Sequence, residues 1–241
     1  MTSPLSDRVG RWVKEVGIDP GLAPPKSALI QAFRGAPDPC RPGADPRQID
    51  DWEERHGFAL PRALRVWLSL SNGFYRNGPL IHPLSAIGPM VPFARVPGLF
   101  VQPESWFELG NPNVETVCID LGYQWPEGGR PIFTSGDDAS GSGPRIIAPS
   151  FESWFLELLH SSGREFWFEG TFRDLGHPWI AHRRHTPTPA LPPRLVPYLK
   201  EAAALMGPGV DDHAMAATLG LSRGEVEILL RHLQHDLDPT R

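Results

Sequence analysis

The chain has 241 residues, 40% hydrophobic and 21% charged, the proportions of a soluble globular protein with room for one sizeable domain or two small ones. Its net charge of −5 excludes a global attraction to nucleic acid or to an anionic membrane. No apolar run approaches the roughly 20 residues that span a bilayer, and the N-terminus meets Asp7 before an apolar signal region forms, so a cytoplasmic location is expected.

The 28 prolines and 24 glycines are scattered without a period, which excludes collagen-like and repeat architectures and predicts short elements joined by long connections. Val9, Trp12, Val13 and Val16 share one helical face, so residues 1–44 open with a helix, followed by a short helix over Lys26–Phe33 and an irregular arm through A-P-D-P-C-R-P-G. Asp45, Pro46 and Gln48 form a helix-start signal with a capping box. The helix that follows turns Ile49, Trp52 and His56 inward and Asp50, Asp51, Glu53 and Glu54 to water, and Gly57 can end it in the left-handed region. Leu60-Pro61 starts the next helix, with Leu64, Trp67 and Leu68 inward, and Asn72-Gly73 is expected to stop it through positive φ values.

Between Gly78 and Gly110 the periodicity is weak, with apolar fragments at Leu80-Ile81 and Leu99–Val101. Three short strands are then expected at Thr116–Ile119, Pro131–Thr134 and Arg145–Ala148, an antiparallel meander joined by Gly-rich turns. Ser150 caps a helix that buries Phe151, Trp154, Phe155, Leu158 and Leu159. Residues 166–197 are an aromatic and basic segment followed by a linker in which five of the twelve residues from Thr186 to Pro197 are proline, giving it polyproline II character. The helical tail, 198–241, divides at Gly207-Pro208-Gly209 and Gly220.

The order I-D-D-W-E-E-R-H-G-F-A-L-P, L-R-V-W-L-S-L-S-N-G-F, strands, then I-A-P-S-F-E-S-W-F-L-E-L-L resembles the SUKH superfamily, the domain of a fungal cell-wall-synthesis regulator and of many bacterial toxin-immunity proteins. The matching positions are Trp52-Glu53, Gly57, Leu60-Pro61, Trp67, Asn72-Gly73, Ala148, Ser150-Phe151 and Trp154-Phe155, within residues 45–165. The resemblance implies an α+β fold with a β-meander packed against helices, no catalytic residues and no cofactor, acting by binding another protein. The N- and C-terminal helical extensions and the proline-rich stretch 84–115 depart from the family pattern.

Few constellations suggest chemistry. Asp137 and Asp138, with Ser135, Ser140 and Ser142, offer oxygens to a divalent cation but lack the spacing of an EF-hand loop, so a hydrated turn is expected and no metal. His177, His182 and His185, with His232 and His235 repeating the three-residue spacing, suggest a zinc site only if distant elements converge. Cys40 and Cys118 stand in unrelated contexts and are expected as free thiols, with no neighbouring His to activate them. The segment H-A-M-A-A-T-L-G-L-S-R-G-E-V-E-I-L-L-R-H-L has a helix-turn-helix pattern capped by Ser222. Residues 194–241 carry five Lys/Arg against seven Asp/Glu, which is poor for phosphate contacts, so nucleic acid is not the expected partner. The expected function is non-enzymatic protein binding, most concretely neutralisation of a bacterial toxin domain, whose basic surface the acidic balance would suit; a DNA-binding regulator is the alternative. Tyr75, Trp125, Asp137 and Asp138 are the candidate partner-binding residues, since aromatic side chains anchor interfaces and loop acids complement basic partners.

Overall fold

A computed structural model describes residues 4–34, 38–76, 78–91, 99, 101–112, 115–136, 143–206 and 211–236. The protein is α+β, with nine α-helices and antiparallel sheets of two and five strands among the described residues. It divides into two compact units: Met1–Val91 with Glu104–Pro178, and Pro92–Pro103 with Trp179–Arg241.

The first unit begins with α1 (Pro4–Val16) and α2 (Lys26–Ala32). The N-terminal helix is part of the core: Leu5, Val9, Trp12 and Val13 are buried, and the Trp12 indole N–H donates to the Ala63 carbonyl at 2.8 Å. Helix α3 (Pro46–His56) starts with the expected capping box, Asp45 accepting from the Arg47 N–H and Gln48 from the Asp45 N–H. It ends at Gly57 with φ 71°, a region that costs glycine nothing. Trp52 is buried on its inner face and donates to the Ile87 carbonyl at 2.9 Å. Its outer face is tied to α4 (Arg62–Leu70), because Arg65 pairs with both Asp50 and Glu53, and Glu53 also accepts the Leu60 N–H that precedes Pro61.

Helix α4 does not stop as expected. Its C-cap is Ser71 in extended conformation, and of the two following residues only Gly73 has positive φ, at 112°. Asn72 instead acts through its side chain: its Oδ1 accepts the Leu84 N–H at 2.7 Å, holding the 3-10 turn Leu84–Ala86. The buried Ser71 hydroxyl donates to the Gly73 carbonyl at 2.6 Å and accepts the Arg41 N–H at 3.0 Å.

Strands β1 (Phe74–Tyr75) and β2 (Pro79–Ile81) form the smaller sheet. The larger one has the order β3 (Gly88–Pro89), β4 (Trp106–Gly110), β5 (Val117–Asp120), β6 (Ile132–Thr134), β7 (Arg145–Ala148), all antiparallel. The expected three-strand meander is therefore β5–β7, and β3 and β4 extend it from the stretch whose periodicity was too weak to read. Alternation assigns the two faces. Phe107, Leu109, Val117, Ile119, Ile132 and Ile147 join the helical core, while Trp106, Glu108, Cys118, Asp120, Phe133 and Ile146 point the other way. On that second face Asp120 is buried and accepts from Ser105 Oγ, Trp106 Nε1 and the Gly122 N–H, each at 2.8 Å, which offsets its lost hydration.

Helix α5 (Phe151–His160) is capped as expected by the Ser150 hydroxyl, which accepts the Ser153 N–H at 3.2 Å. It inserts Phe151, Trp154 and Phe155 between α1 and α4: Phe155 lies 4.4 Å from the Trp67 ring and 5.0 Å from Trp12, centroid to centroid. Beyond the 3-10 turn Phe166–Phe168, Leu175 and Gly176 exchange backbone bonds with Ile146, covering part of the β7 edge.

The second unit contains α6 (Pro178–His185) from Trp179 onward, a 3-10 stretch Pro193–Tyr198, α7 (Leu199–Leu205), α8 (Asp212–Leu219) and α9 (Arg223–Asp236). Its core is aliphatic: Leu195, Ala202, Met215, Ala216, Leu219, Val226, Leu229 and Leu230. Gln234 holds Val101 through two hydrogen bonds of its side-chain amide, accepting the Val101 N–H at 2.9 Å and donating to its carbonyl at 2.7 Å.

Candidate interaction surface

The arm after α2 is irregular in sequence but firmly placed. The Tyr75 N–H donates to the Pro39 carbonyl at 2.9 Å, Cys40 bridges Phe74, the Asn72 N–H donates to Pro42 at 3.1 Å, and the Ala44 N–H to Leu68 at 2.8 Å. Thus the arm lies antiparallel to the segment 71–75, each backbone bond fixing a residue that has no helix or long strand to hold it. Arg41 is set there with its guanidinium 4.9 Å from the centre of the Tyr75 ring. Beyond Tyr75, Arg76 lies over Phe33 at 5.6 Å. Arg34 follows Phe33 in the chain, and Arg164 follows Gly163, against which the Arg76 side chain packs.

Arg34, Arg41, Arg76 and Arg164 are exposed, and none makes an ion pair among the described residues. The acids in the same stretches are Asp38, which accepts the Cys40 N–H at 3.0 Å, and half-buried Glu165. Tyr75 is half-buried, its ring already oriented by Arg41, a contact worth about 0.5–1 kcal/mol at an exposed site. An ordered tyrosine stacked on Arg41 suits an interface, since the ring and the guanidinium stacked on it have already lost part of their side-chain freedom and arginine holds carboxylates bidentately.

Trp125 belongs to a different element, the β5–β6 connection, where its N–H donates to Gly129 at 2.9 Å and its carbonyl accepts from Gly128 at 2.8 Å. It too is half-buried. Asp137 and Asp138 lie outside the described residues. Tyr75 was expected from its residue type; the Arg41 guanidinium over its ring was not. The readable signal was the spacing of Cys40-Arg41-Pro42: a proline-bordered arm is extended backbone, able to run beside a strand.

Both cysteines are free and buried. Burial pushes the Cys40 thiol up against the opposing pull of Arg8, and pushes Cys118, beside the Met90 sulfur at 3.4 Å, well above its ordinary value. Thiols held protonated in this way are poor nucleophiles. Among the described residues no three His, Cys, Asp or Glu side chains converge as a metal centre requires. His182 and His235 approach within 6.2 Å, and the His232 ring nitrogen Nδ1 lies 2.9 Å from the Pro189 carbonyl oxygen. Among the described residues His232 lies 3.4 Å from the Asp236 carboxylate, near the surface along one helix face.

In the second unit α8 and α9 are joined through Gly220, φ 66°, and Ser222 caps α9 in a reciprocal arrangement with Glu225. The arginines of α9 are engaged by acids: Arg223 contacts Asp212 twice, at 2.8 and 3.1 Å, and Arg231 contacts Glu227 at 2.6 Å.

The fold and this surface together define an α+β protein with a cationic, aromatic edge on its first unit. No family model matches the chain, and no curated protein sequence matches it. Among the described residues, no helix is long and apolar enough to cross a membrane.

Proposed function

We propose that the protein is a non-enzymatic, protein-binding member of the SUKH type, acting in its most concrete form as an immunity protein that neutralises a bacterial toxin domain. The family reading is supported by the succession of a capped α3 ending on Gly57, Leu60-Pro61, α4, Asn72-Gly73, an antiparallel sheet and the Ser150-capped α5. The binding reading rests on the Arg41–Tyr75 stack and the unpaired arginines around it. That edge asks for carboxylates on the partner's docking segment. The net charge of −5 acts at longer range, steering a partner that is basic overall.

The test is growth rescue and complex formation with the toxin domain encoded beside the gene. Tyr75→Ala and Arg41→Glu are each expected to weaken the complex by about 10- to 100-fold, as for central interface anchors, and to lower the melting temperature by only about 2–4 °C, as loss of the stack alone requires. Undiminished rescue by the double variant would sink the proposed surface; absence of any complex with the neighbouring gene product would sink the immunity reading. The α8–turn–α9 pair keeps DNA regulation as the alternative, but with Arg223 and Arg231 already bound to acids it has few cations left for phosphates. A mobility shift of a DNA fragment that persists at 150 mM salt would favour it.

A further inference from the structure

A second feature of the first unit lies on the N-terminal helices. Helix α1 and the segment Pro20–Leu29 enclose a groove of about 690 Å³, within the range of sites for small organic ligands. Its floor is apolar, where Val9 and Val13 of α1 and Leu29 of α2 reach the groove only at their edges, each 2–4% exposed, so most of the accessible apolar lining is that of Pro20, Ala23 and Pro25. One wall is the run Pro20–Pro25, where Ala23 (φ −87°, ψ 148°) and Pro25 (φ −61°, ψ 145°) are in polyproline conformation. Proline fixes φ, so this wall keeps its shape without an occupant and little ordering cost attends binding.

The rim is cationic although the chain is acidic. Arg11, Lys14 and Lys26 border the groove, and Asp7 is the one acid among its lining residues. Asp7 is engaged by Lys26 at 2.7 Å, and Arg11 forms an exposed ion pair with Glu15 one turn on, at 3.6 Å, loose enough to yield to a carboxylate that bonds it directly. Lys14 is exposed and has no ion pair among the described residues. An occupant that fills the apolar floor and leaves a negative head between Arg11 and Lys14 therefore matches every wall. At the mouth stands Gly10, exposed, where an added Cβ would meet nothing within 4 Å.

We propose that this groove binds a small amphiphilic anion, an aliphatic carboxylate of medium chain length. The proline wall takes the chain, with the edges of Val9, Val13 and Leu29 beneath it, and the guanidinium and ammonium groups hold the carboxylate. The site is separate from the Tyr75 edge and does not depend on the protein-binding reading.

The probe is decanoate, below its micellar concentration, titrated into the whole protein and followed by methyl NMR and calorimetry. Saturable binding with a submillimolar dissociation constant is expected, with shifts at the Val9, Val13 and Leu29 methyls and at least about 10-fold weaker binding of decanol, which keeps the chain and lacks the charge. Lys14→Glu with Arg11→Glu, both at exposed positions, should reduce decanoate affinity about 10-fold or more and leave decanol unaffected. Gly10→Trp should block the mouth to both, with Gly10→Leu as the milder substitution if the larger ring alters the melting temperature. Equal affinity for decanol overturns the anion assignment. Absence of saturable binding, methyl shifts elsewhere, or a concentration-dependent dimer that covers α1 overturns the site itself.

Discussion

The interiors of the two units are built from different materials. The first packs Trp12, Trp67, Trp154, Phe74, Phe151 and Phe155 in mutual ring contact, with centroids 4.4 to 6.4 Å apart and several edge-to-face pairs. The second relies on Leu195, Met215, Leu219, Val226, Leu229 and Leu230, with alanines at Ala202 and Ala216 filling the close approaches. Large rings bury more apolar area per residue and add geometric preferences of their own, so a few aromatic positions fix how α1, α4 and α5 meet. Aliphatic side chains on α7, α8 and α9 bury less and specify less, and caps and side-chain clamps matter correspondingly more there. The difference shows in how each unit holds its irregular chain. In the first, backbone bonds lock the 38–44 arm; in the second, one glutamine amide holds Val101.

The largest expected effect follows from the ring cluster. Trp67 is fully buried at its centre, and Trp67→Ala should cost about 3–5 kcal/mol in chemical denaturation. The Trp67 indole N–H finds no acceptor among the described residues. Trp67→Phe keeps most of the contact and removes that unsatisfied donor, so its cost should stay below about 1.5 kcal/mol. A loss as large as that of alanine would mean the indole shape, not aromatic bulk, is what the core requires.

In the second unit the matching substitution is Leu229→Ala. The expected loss is roughly 2–3 kcal/mol, the low end for buried leucine, because its aliphatic neighbours can shift toward the space left behind. Hydrogen exchange of the α9 amides reads this locally. A loss beyond that of Trp67→Ala would break the contrast between the two cores.

Most helices were legible in the sequence because their signals are local. The Asp45–Gln48 box, the Gly57 stop, Ser150 and Ser222 all act within four residues, and each does so in the structure. Strands β3 and β4 were not legible. Gly88-Pro89 is too short to show alternation, and Trp106–Gly110 is buried at four of five positions, which erases the period-2 pattern that marks a one-sided strand. Tyr75 stood out by residue type alone. Its arginine rim is brought together by pairing of the arm with β1, a non-local event that no single window contains. Asn72 was assigned to the right place for the wrong reason: its value lies in a side-chain bond to Leu84, twelve residues on.

That bond gives the next smaller effect. Asn72→Ala should cost about 1–2 kcal/mol by leaving the Leu84 N–H without its acceptor. Asn72→Asp, which keeps an oxygen in the same place, should recover most of it. If alanine and aspartate were equally damaging, backbone conformation at residue 72 would be responsible after all, and the contrast between local caps and non-local clamps would lose its clearest case.

The smallest effect concerns pH and the buried histidines that the two units share. Burial lowers His56, His82 and His177 in the first unit below their ordinary value, with Arg55 adding to the effect at His56 and Glu108 opposing it at His82. In the second, burial lowers His235, assisted by His182, Arg183 and His232 and opposed by Asp236. A histidine depressed in the folded state is matched in protonation by the unfolded chain above about pH 6.5; below that the unfolded chain takes up the proton first. Stability should therefore hold from pH 8 to 7 and fall as the pH drops from about 6.5 toward the lower folded-state values. His235→Gln should make α9 amide protection less acid-sensitive, and only slightly, because solvent still reaches the ring. The His235 ring is held edge-on to Trp179 at 5.5 Å and 6.2 Å from the His182 ring, so protonation there places a charge between an aromatic ring and a second imidazole. If α9 protection in the His235→Gln protein fell with acid as steeply as in the wild type, the sensitivity would lie in carboxylates such as Asp212 and Glu225, held below their ordinary range by the Arg223 guanidinium and the Ser222 N–H and lost only at lower pH.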